Sequence, residues 1–232
     1  MMQRAKLILL RHGESLYNKE NLFTGWTDID LSEKGREEAK RAGEILLKHS
    51  LYPDICFTSW LQRSIHTTQL LLSVMQWEQI DAIRSWKLNE RHYGAWQKQN
   101  KEKVKAEVGE QKFMAVRRGY DTPPPPLSEE GFLLLQQEPK YHRIDPKLLP
   151  HSESLKETAK RTLSYFYDVI VPQLDEGKTV LVSAHGNSLR ALLMEIEHLS
   201  AGEIVNINIP TGQPILYHFD GILNMVKKEY LE

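Results

Sequence analysis

The run KTVLVSAHG, residues 178–186, constrains this fold more than any other stretch. Its apolar residues fall on consecutive positions, so a strand here buries both of its faces. Such a strand needs a covering layer on each side, and the chain supplies them. Apolar strands are expected at KLILL, PDICFTS, IDAIRSW, KTVLVSA, PILYHF and NMVKKEYL. Between the first five lie amphipathic segments. One runs through DLSEKGREEAKRAGEILLKHS, with Ser32 as its N-cap and a stripe at Ala39, Ala42, Gly43 and Leu46. QRSIHTTQLLLSVM is a second helix. A third starts after Ser154, with its stripe at Leu155, Ala159, Leu163, Phe166, Ile170 and Leu174. NSLRALLMEIEHL is a fourth, presenting Leu189, Leu192, Leu193 and Ile196 on one face. Alternation of this kind builds an α/β fold with a mostly parallel sheet covered on both sides. Ligands of such sheets sit beyond the carboxyl ends of the strands.

Two segments end a strand on the same dipeptide. LILLRHGES runs into His12-Gly13, and VLVSAHGNS runs into His185-Gly186. Glycine lets the backbone turn sharply and leaves its N–H open to a ligand. The helix after His185 turns its N-terminal N–H groups toward any anion held there. A zinc site would need three ligands, commonly at close spacing, and this pair of histidines has no such company. Nucleophilic catalysis fits better. A neutral imidazole accepts a phosphoryl group and passes it on, given cations around the transferring oxygens and a group that manages the proton.

The sequence offers those groups at strand ends. Arg11 precedes His12, and Arg63 follows the second strand in SWLQRS. Both can make fork-shaped contacts with phosphate. KLNERHYGAW places Glu90 beside Arg91, a carboxylate able to serve as general acid and base for a hydroxyl. Arg117 and Arg118 form a further basic pair. Yet the 232-residue chain has a net charge of −1, so its cations are gathered locally. That balance suits a small polyanion and gives no reason to expect nucleic acid or a membrane.

With 41% hydrophobic residues the chain has material for a sizeable core, and one domain over residues 1–232 is expected. Its single cysteine, Cys56, lies in an apolar strand and reads as core in a reducing compartment. The start MMQRAKLILL reaches Arg11 too soon for a signal peptide. No apolar run approaches the roughly 20 residues that span a bilayer. A cytoplasmic protein is the expectation. Residues 101–151 differ from the rest. KEKVKAEVGEQKF reads as a short helix, and Pro123 to Pro126 exclude a helix or sheet interior. This segment is expected to be an insertion, a lid over the sheet's carboxyl edge.

Several motifs taken together, RHGES, NKENLFTGWTDIDLSEKG, SWKLNERHYGAW, AHGNSLRALL and NIPTG, closely resemble the cofactor-dependent phosphoglycerate mutases of the histidine phosphatase superfamily. The resemblance spans about residues 6–231 and is weakest over 119–149. It implies a three-layer α/β/α sandwich of phosphoglycerate mutase type, mostly parallel with one antiparallel strand. It implies phosphorylation at His12, proton transfer by Glu90, and support of the moving phosphoryl group by His185, Arg11 and Arg63. Gly13, Glu14, Ser15, Asn18, Thr24, Gly25, Gly186 and Asn187 would line the phosphate and substrate pocket. Arg91, Tyr93, Lys101, Arg117 and Arg118 would hold the substrate's carboxylate and distal phosphate, with His92 in the same segment orienting its neighbours. The implied reaction interconverts 3-phosphoglycerate and 2-phosphoglycerate in glycolysis and gluconeogenesis. It is primed by 2,3-bisphosphoglycerate and uses no metal. The implied assembly is a homodimer or homotetramer.

The rival on the same scaffold is a phosphatase acting on a small phosphorylated metabolite, with water taking the phosphoryl group from His12. A catalytically dead binding protein would be expected to lack the nucleophile or its cations, and all are present. The chain departs from the family pattern after ERHYG, where AWQKQNK stands in place of a sequence like ALQGLNK. Trp96, Lys98 and Gln99 are the changed residues. Before the arginine pair, Val116 stands where Trp is usual. A longer mobile tail found in some relatives is expected to be absent or very short.

Overall fold

In the computed structural model, which describes residues 5–80 and 82–232, strand β1 (Lys6–Arg11) lies inside a six-stranded sheet. Along it Leu7 and Leu9 point to one face and Ile8 and Leu10 to the other. All four are fully buried, as a doubly covered strand requires. The sheet order is β3 (Ala82–Arg84), β2 (Ile55–Thr58), β4 (Thr179–Ala184), β1, β5 (Pro214–Phe219), β6 (Met225–Tyr230). Neighbours from β3 to β1 are parallel. β5 runs antiparallel to both β1 and β6, so it is the one reversed strand. The expected third strand began at Ile80 and included Asp81, which lies outside the described residues, as do residues 1–4 at the N-terminus.

Two layers of helices cover the sheet. After the single turn α1 (Leu16–Lys19), α2 (Glu33–Lys48) starts from Ser32, whose hydroxyl accepts the Gly35 N–H. α2 buries Ala39, Ala42, Gly43 and Leu46 as its stripe predicts, and with α3 (Gln62–Val74) it covers one face. The other face is covered by α7 (Leu155–Tyr165) and α9 (Gly186–Ile196). The helix expected to run unbroken from Ser154 is interrupted. α7 passes through a π-helical stretch, Phe166–Ile170, into α8 (Val171–Asp175). Pro172 explains the change: it has no N–H, and its ring would crowd the carbonyl one turn back in a regular helix.

Residues 101–151 are more ordered than a long loop. The single short helix expected there is two, α4 (Lys101–Val108) and α5 (Glu110–Arg118), and α6 (Glu129–Gln137) follows the prolines. Gly109 separates α4 from α5 at φ 81°, which glycine adopts without steric penalty. Two of the departures meet. Trp96 and Val116 are buried in one cluster with Phe23, Phe113 and Val104.

Candidate active site

Strand register brings the two histidines together. Arg11 on β1 pairs with Ala184 on β4, so His12 and His185 leave adjacent strands at the same level. The His12 N–H donates to the Ala184 carbonyl at 3.0 Å. The imidazole centroids are 4.9 Å apart with planes at 59°. Thr58 on β2 pairs with Ser183, which puts Ser59 beside His185.

His12 is held in one tautomer. Its Nδ1 lies 2.6 Å from the Gly13 carbonyl, an acceptor only, so Nδ1 carries the proton. Nε2 is left with its lone pair, and the Arg63 Nε–H points at it from 3.3 Å. The Gly13 N–H in turn donates to Thr67 Oγ1, which fixes the loop. Burial, with Arg63 and Arg11 nearby, drives the His12 pKa well below the ordinary histidine value. The ring is therefore neutral and nucleophilic at neutral pH, inside a cationic setting.

Arg63 is buried and donates to the carbonyls of Thr27 and Gly25, which draws the 24–27 turn over the site. Burial lowers its pKa to about 10, and it stays charged at neutral pH. Arg11 donates Nη1 to the Ile209 carbonyl, while its buried Nε has no partner among the described residues. His185 lies 2.7 Å from Ser59 Oγ through Nε2, and its buried Nδ1 is also unpartnered among the described residues. Burial and Arg63 push the His185 pKa well down too. Glu90 Oε1 accepts the N–H of Arg91 at 2.7 Å and that of Asn187, near the start of α9, at 3.1 Å. Oε2 is turned toward Gly186: a Cβ built there would lie 3.6 Å from it.

Beside these groups opens a cleft of about 140 Å³. Arg11, Asn18, Thr24, Gly25, Glu90, Tyr93, Lys101, Arg117, Arg118, Gly186 and Asn187 line it, all of them expected from the sequence. Glu90 is the one carboxylate on a wall with five basic side chains. His12, Arg63 and His185 are buried next to it. Burial, with Arg117 and Arg11 close by, lowers the Lys101 pKa to about 8.

Five residues expected to bind substrate do not line this cleft. Gly13 gives its N–H to the Thr67 hydroxyl, and Ser15 caps α1. Glu14 turns to Ser32 and Lys34. Arg91 is fully buried and donates to the carbonyls of Val116 and Arg117 and to Tyr93 Oη, so it carries α5 and its arginine pair. His92 packs edge-on against Trp26 and accepts the Gly94 N–H, an orienting position. Sequence reasoning missed Leu22, Phe23, Arg190, Asn208 and Ile209 on the cleft wall, and Ser59 behind His185. Arg190 had one legible signal, a guanidinium on an otherwise apolar helix face. It donates to Asn187 Oδ1 and to the carbonyls of Arg118 and Ile204, and burial lowers its pKa to about 10. Among the described residues no group of three His, Cys, Asp or Glu side chains is arranged to hold a metal ion.

The sequence matches the histidine phosphatase superfamily (branch 1) over residues 7–224. The chain belongs to that superfamily. Among its relatives in the superfamily is a 2,3-bisphosphoglycerate-dependent phosphoglycerate mutase from Hydrogenobaculum sp., 51% identical over 225 residues, covering 97% of this chain and 91% of the relative. The protein of the same name from Streptomyces avermitilis is 52% identical over 215 residues, covering 93% and 85%. The solved structure of a mycobacterial glucosyl-3-phosphoglycerate phosphatase superposes with a TM-score of 0.70 at 22% identity, over 92% of each chain. That likeness shows a shared superfamily fold. No helix among the described residues is long and apolar enough to cross a membrane.

Proposed function

We propose that this protein is a 2,3-bisphosphoglycerate-dependent phosphoglycerate mutase working through a phosphohistidine at His12. The observation that carries the reading is the unprotonated Nε2 of a neutral His12, which accepts from Arg63 beside a cleft walled by basic side chains. The relatives at about 50% identity carry that name, which supports the same substrate class here. A bisphosphoglycerate bears about four to five negative charges, two phosphates and a carboxylate. The buried Nε–H groups of Arg11 and Arg190 and the buried Nδ1 of His185, which have no partner among the described residues, fit such a ligand.

The chemistry follows from the positions. His12 Nε2 attacks phosphorus, forming the N–P bond as the P–O bond to the glycerate breaks. Arg11, Arg63 and His185 stabilise the equatorial oxygens. Glu90 gives the leaving oxygen a proton from Oε2 and takes one back from the hydroxyl that is phosphorylated next. Lys101, Arg117 and Arg118 hold the far end of the ligand in either orientation, and residues 101–151 act as the lid of a single domain over 1–232. The donor groups are complete without a metal. Phosphoglycerates are too charged to cross a bilayer unaided, which supports a cytoplasmic location, and the reading includes the homodimer or homotetramer that the resemblance implies.

The test is incubation with labelled 2,3-bisphosphoglycerate followed by acid and alkaline quench. Acid-labile, alkali-stable label is expected on His12 and none in His12→Ala. Mutase turnover with a trace of the bisphosphate should survive a chelator. Release of inorganic phosphate in place of isomerisation would make it a phosphatase.

A further inference from the structure

Behind the cleft, out of reach of any ligand in it, Arg161 on α7 spends all of its hydrogen-bonding capacity. A guanidinium has five N–H groups. Nε donates to Glu153 Oε1 at 2.6 Å, and Nη2 donates to Glu153 Oε2 at 2.8 Å. The remaining donors go to the backbone that carries Glu90. Nη1 meets the carbonyls of Lys87 and Asn89 at 2.9 and 3.0 Å, and Nη2 meets that of Glu90 at 2.9 Å. Trp26 Nε1 donates to the same Glu90 carbonyl, and the guanidinium lies over the Trp26 ring at 5.5 Å. Glu153 completes the frame by accepting the His92 N–H at 2.8 Å. The ion pair is almost wholly buried, with side chains 9% and 4% exposed.

We infer that Arg161, locked by Glu153, is a positioning residue for proton transfer by Glu90. The inference rests on the proton-carrying role proposed for Glu90. With three carbonyls of the 87–90 turn drawn toward α7, the Glu90 side chain leaves on the opposite side, where Oε1 is latched by Arg91 and Asn187 and Oε2 faces Gly186. Carbonyls at 87, 89 and 90 converge on one point only if the turn has a single shape. A planar fork satisfies all of them and a lysine, with three donors and no fork, cannot. Arg161 is absent from the cleft wall, so it acts through Glu90 and not on substrate.

The test separates positioning from mere scaffolding by the leaving group. When the native enzyme cleaves a phosphoglycerate, the P–O bond breaks toward an alkoxide that needs Glu90's proton. When it cleaves 4-nitrophenyl phosphate, the phenolate leaves without one. Arg161→Lys and Glu153→Gln are expected to lower mutase kcat on the order of 10²-fold, the usual effect of misplacing a catalytic group by an ångström. KM for 3-phosphoglycerate and the rate of His12 phosphorylation by 4-nitrophenyl phosphate should stay near native. Equal loss with both donors, or a rise in KM matching the fall in kcat, overturns the inference, as does unchanged turnover in both variants. Native protein unlabelled by 4-nitrophenyl phosphate leaves the kcat and KM comparison to decide. Glu90→Gln serves as the reference. Full mutase turnover in that variant overturns the role of Glu90 itself, whereas a dead Glu90→Gln beside an active Arg161→Lys overturns only the inference about Arg161.

Discussion

His12 and His185 face each other across 4.9 Å, and they differ in what their second nitrogens do. His12 has both nitrogens engaged, Nδ1 by the Gly13 carbonyl and Nε2 by Arg63. His185 has Ser59 on Nε2, and its buried Nδ1 has no hydrogen-bond partner among the described residues. A buried polar atom without a partner is expensive unless a ligand completes it. Ser59 donating to Nε2 leaves Nδ1–H free for a phosphoryl oxygen. An asparagine places an N–H near the Nδ1 position and a glutamine near the Nε2 position. His185→Asn is therefore expected to keep more turnover than His185→Gln, and His185→Gln to lose about 10²- to 10³-fold in kcat, as for a lost oxyanion donor. The reverse order in steady-state kinetics would assign the ligand contact to the other nitrogen.

Lys101 sets an alkaline limit. Its pKa of about 8 results from burial and from Arg117, Arg11 and Arg118 around it. Above that pH the free enzyme loses one of the positive charges that meet the anionic ligand. The logarithm of kcat/KM, which reports the free enzyme, should bend downward above about pH 8. Lys101→Arg should move the bend upward, because a guanidinium keeps its charge. An identical bend in that variant would place the titration elsewhere.

Acid stability follows from three buried histidines. His12 and His185 are held well below the usual histidine value, and His92 is lowered to about 3, in each case chiefly by burial. In the unfolded chain they titrate near 6.5. Below that pH the unfolded state binds more protons than the folded one, so the stability of the fold rises with pH and is lost as pH falls. The loss starts near pH 6.5, and each histidine contributes at most about 1.4 kcal/mol per pH unit. The urea midpoint should fall steadily from pH 7 to 5. His92→Asn, whose amide oxygen can take the Gly94 N–H as Nδ1 does, should flatten that fall by about one proton's worth.

Much of this was legible because it is local. The stripe Ala39–Ala42–Gly43–Leu46 and the apolar run of β4 each encode their burial within a few residues. His12-Gly13 and His185-Gly186 announce themselves as strand ends, and parallel register brings them together. Arg161 and Ser59 had no such signal. Arg161 meets Glu90 71 positions away, and Ser59 meets His185 126 positions away. Arg91 shows the converse. Its place beside Glu90 reads as a ligand contact, but its guanidinium faces the end of α5, and only the tertiary fold decides which way a side chain turns.

The loop that carries the nucleophile is also set from a distance, by a contact between two glycines. A Cβ on Gly35 would come 2.0 Å from the Glu14 carbonyl oxygen, and one on Gly13 would come 2.1 Å from the Gly35 carbonyl oxygen. Neither obstacle is a flexible side chain, so the backbone must move. Gly35 is helical, in the first turn of α2, and its N–H is the one capped by Ser32. Moving it shifts the cap, and with the cap the Ser32 N–H that donates to the Glu14 carbonyl. The displaced segment begins one residue after the Gly13 carbonyl that fixes the His12 tautomer. Overpacking of this kind costs roughly 1–3 kcal/mol of stability. Gly35→Ala, which has no reason to weaken α2 by helix propensity, is therefore expected to lower the unfolding free energy by that amount, read as a lower urea midpoint. It should also slow His12 phosphorylation from labelled bisphosphoglycerate by at least about tenfold, the effect of a small misplacement of a reacting group. A variant with native stability and native labelling would mean that the two backbones can part without disturbing His12.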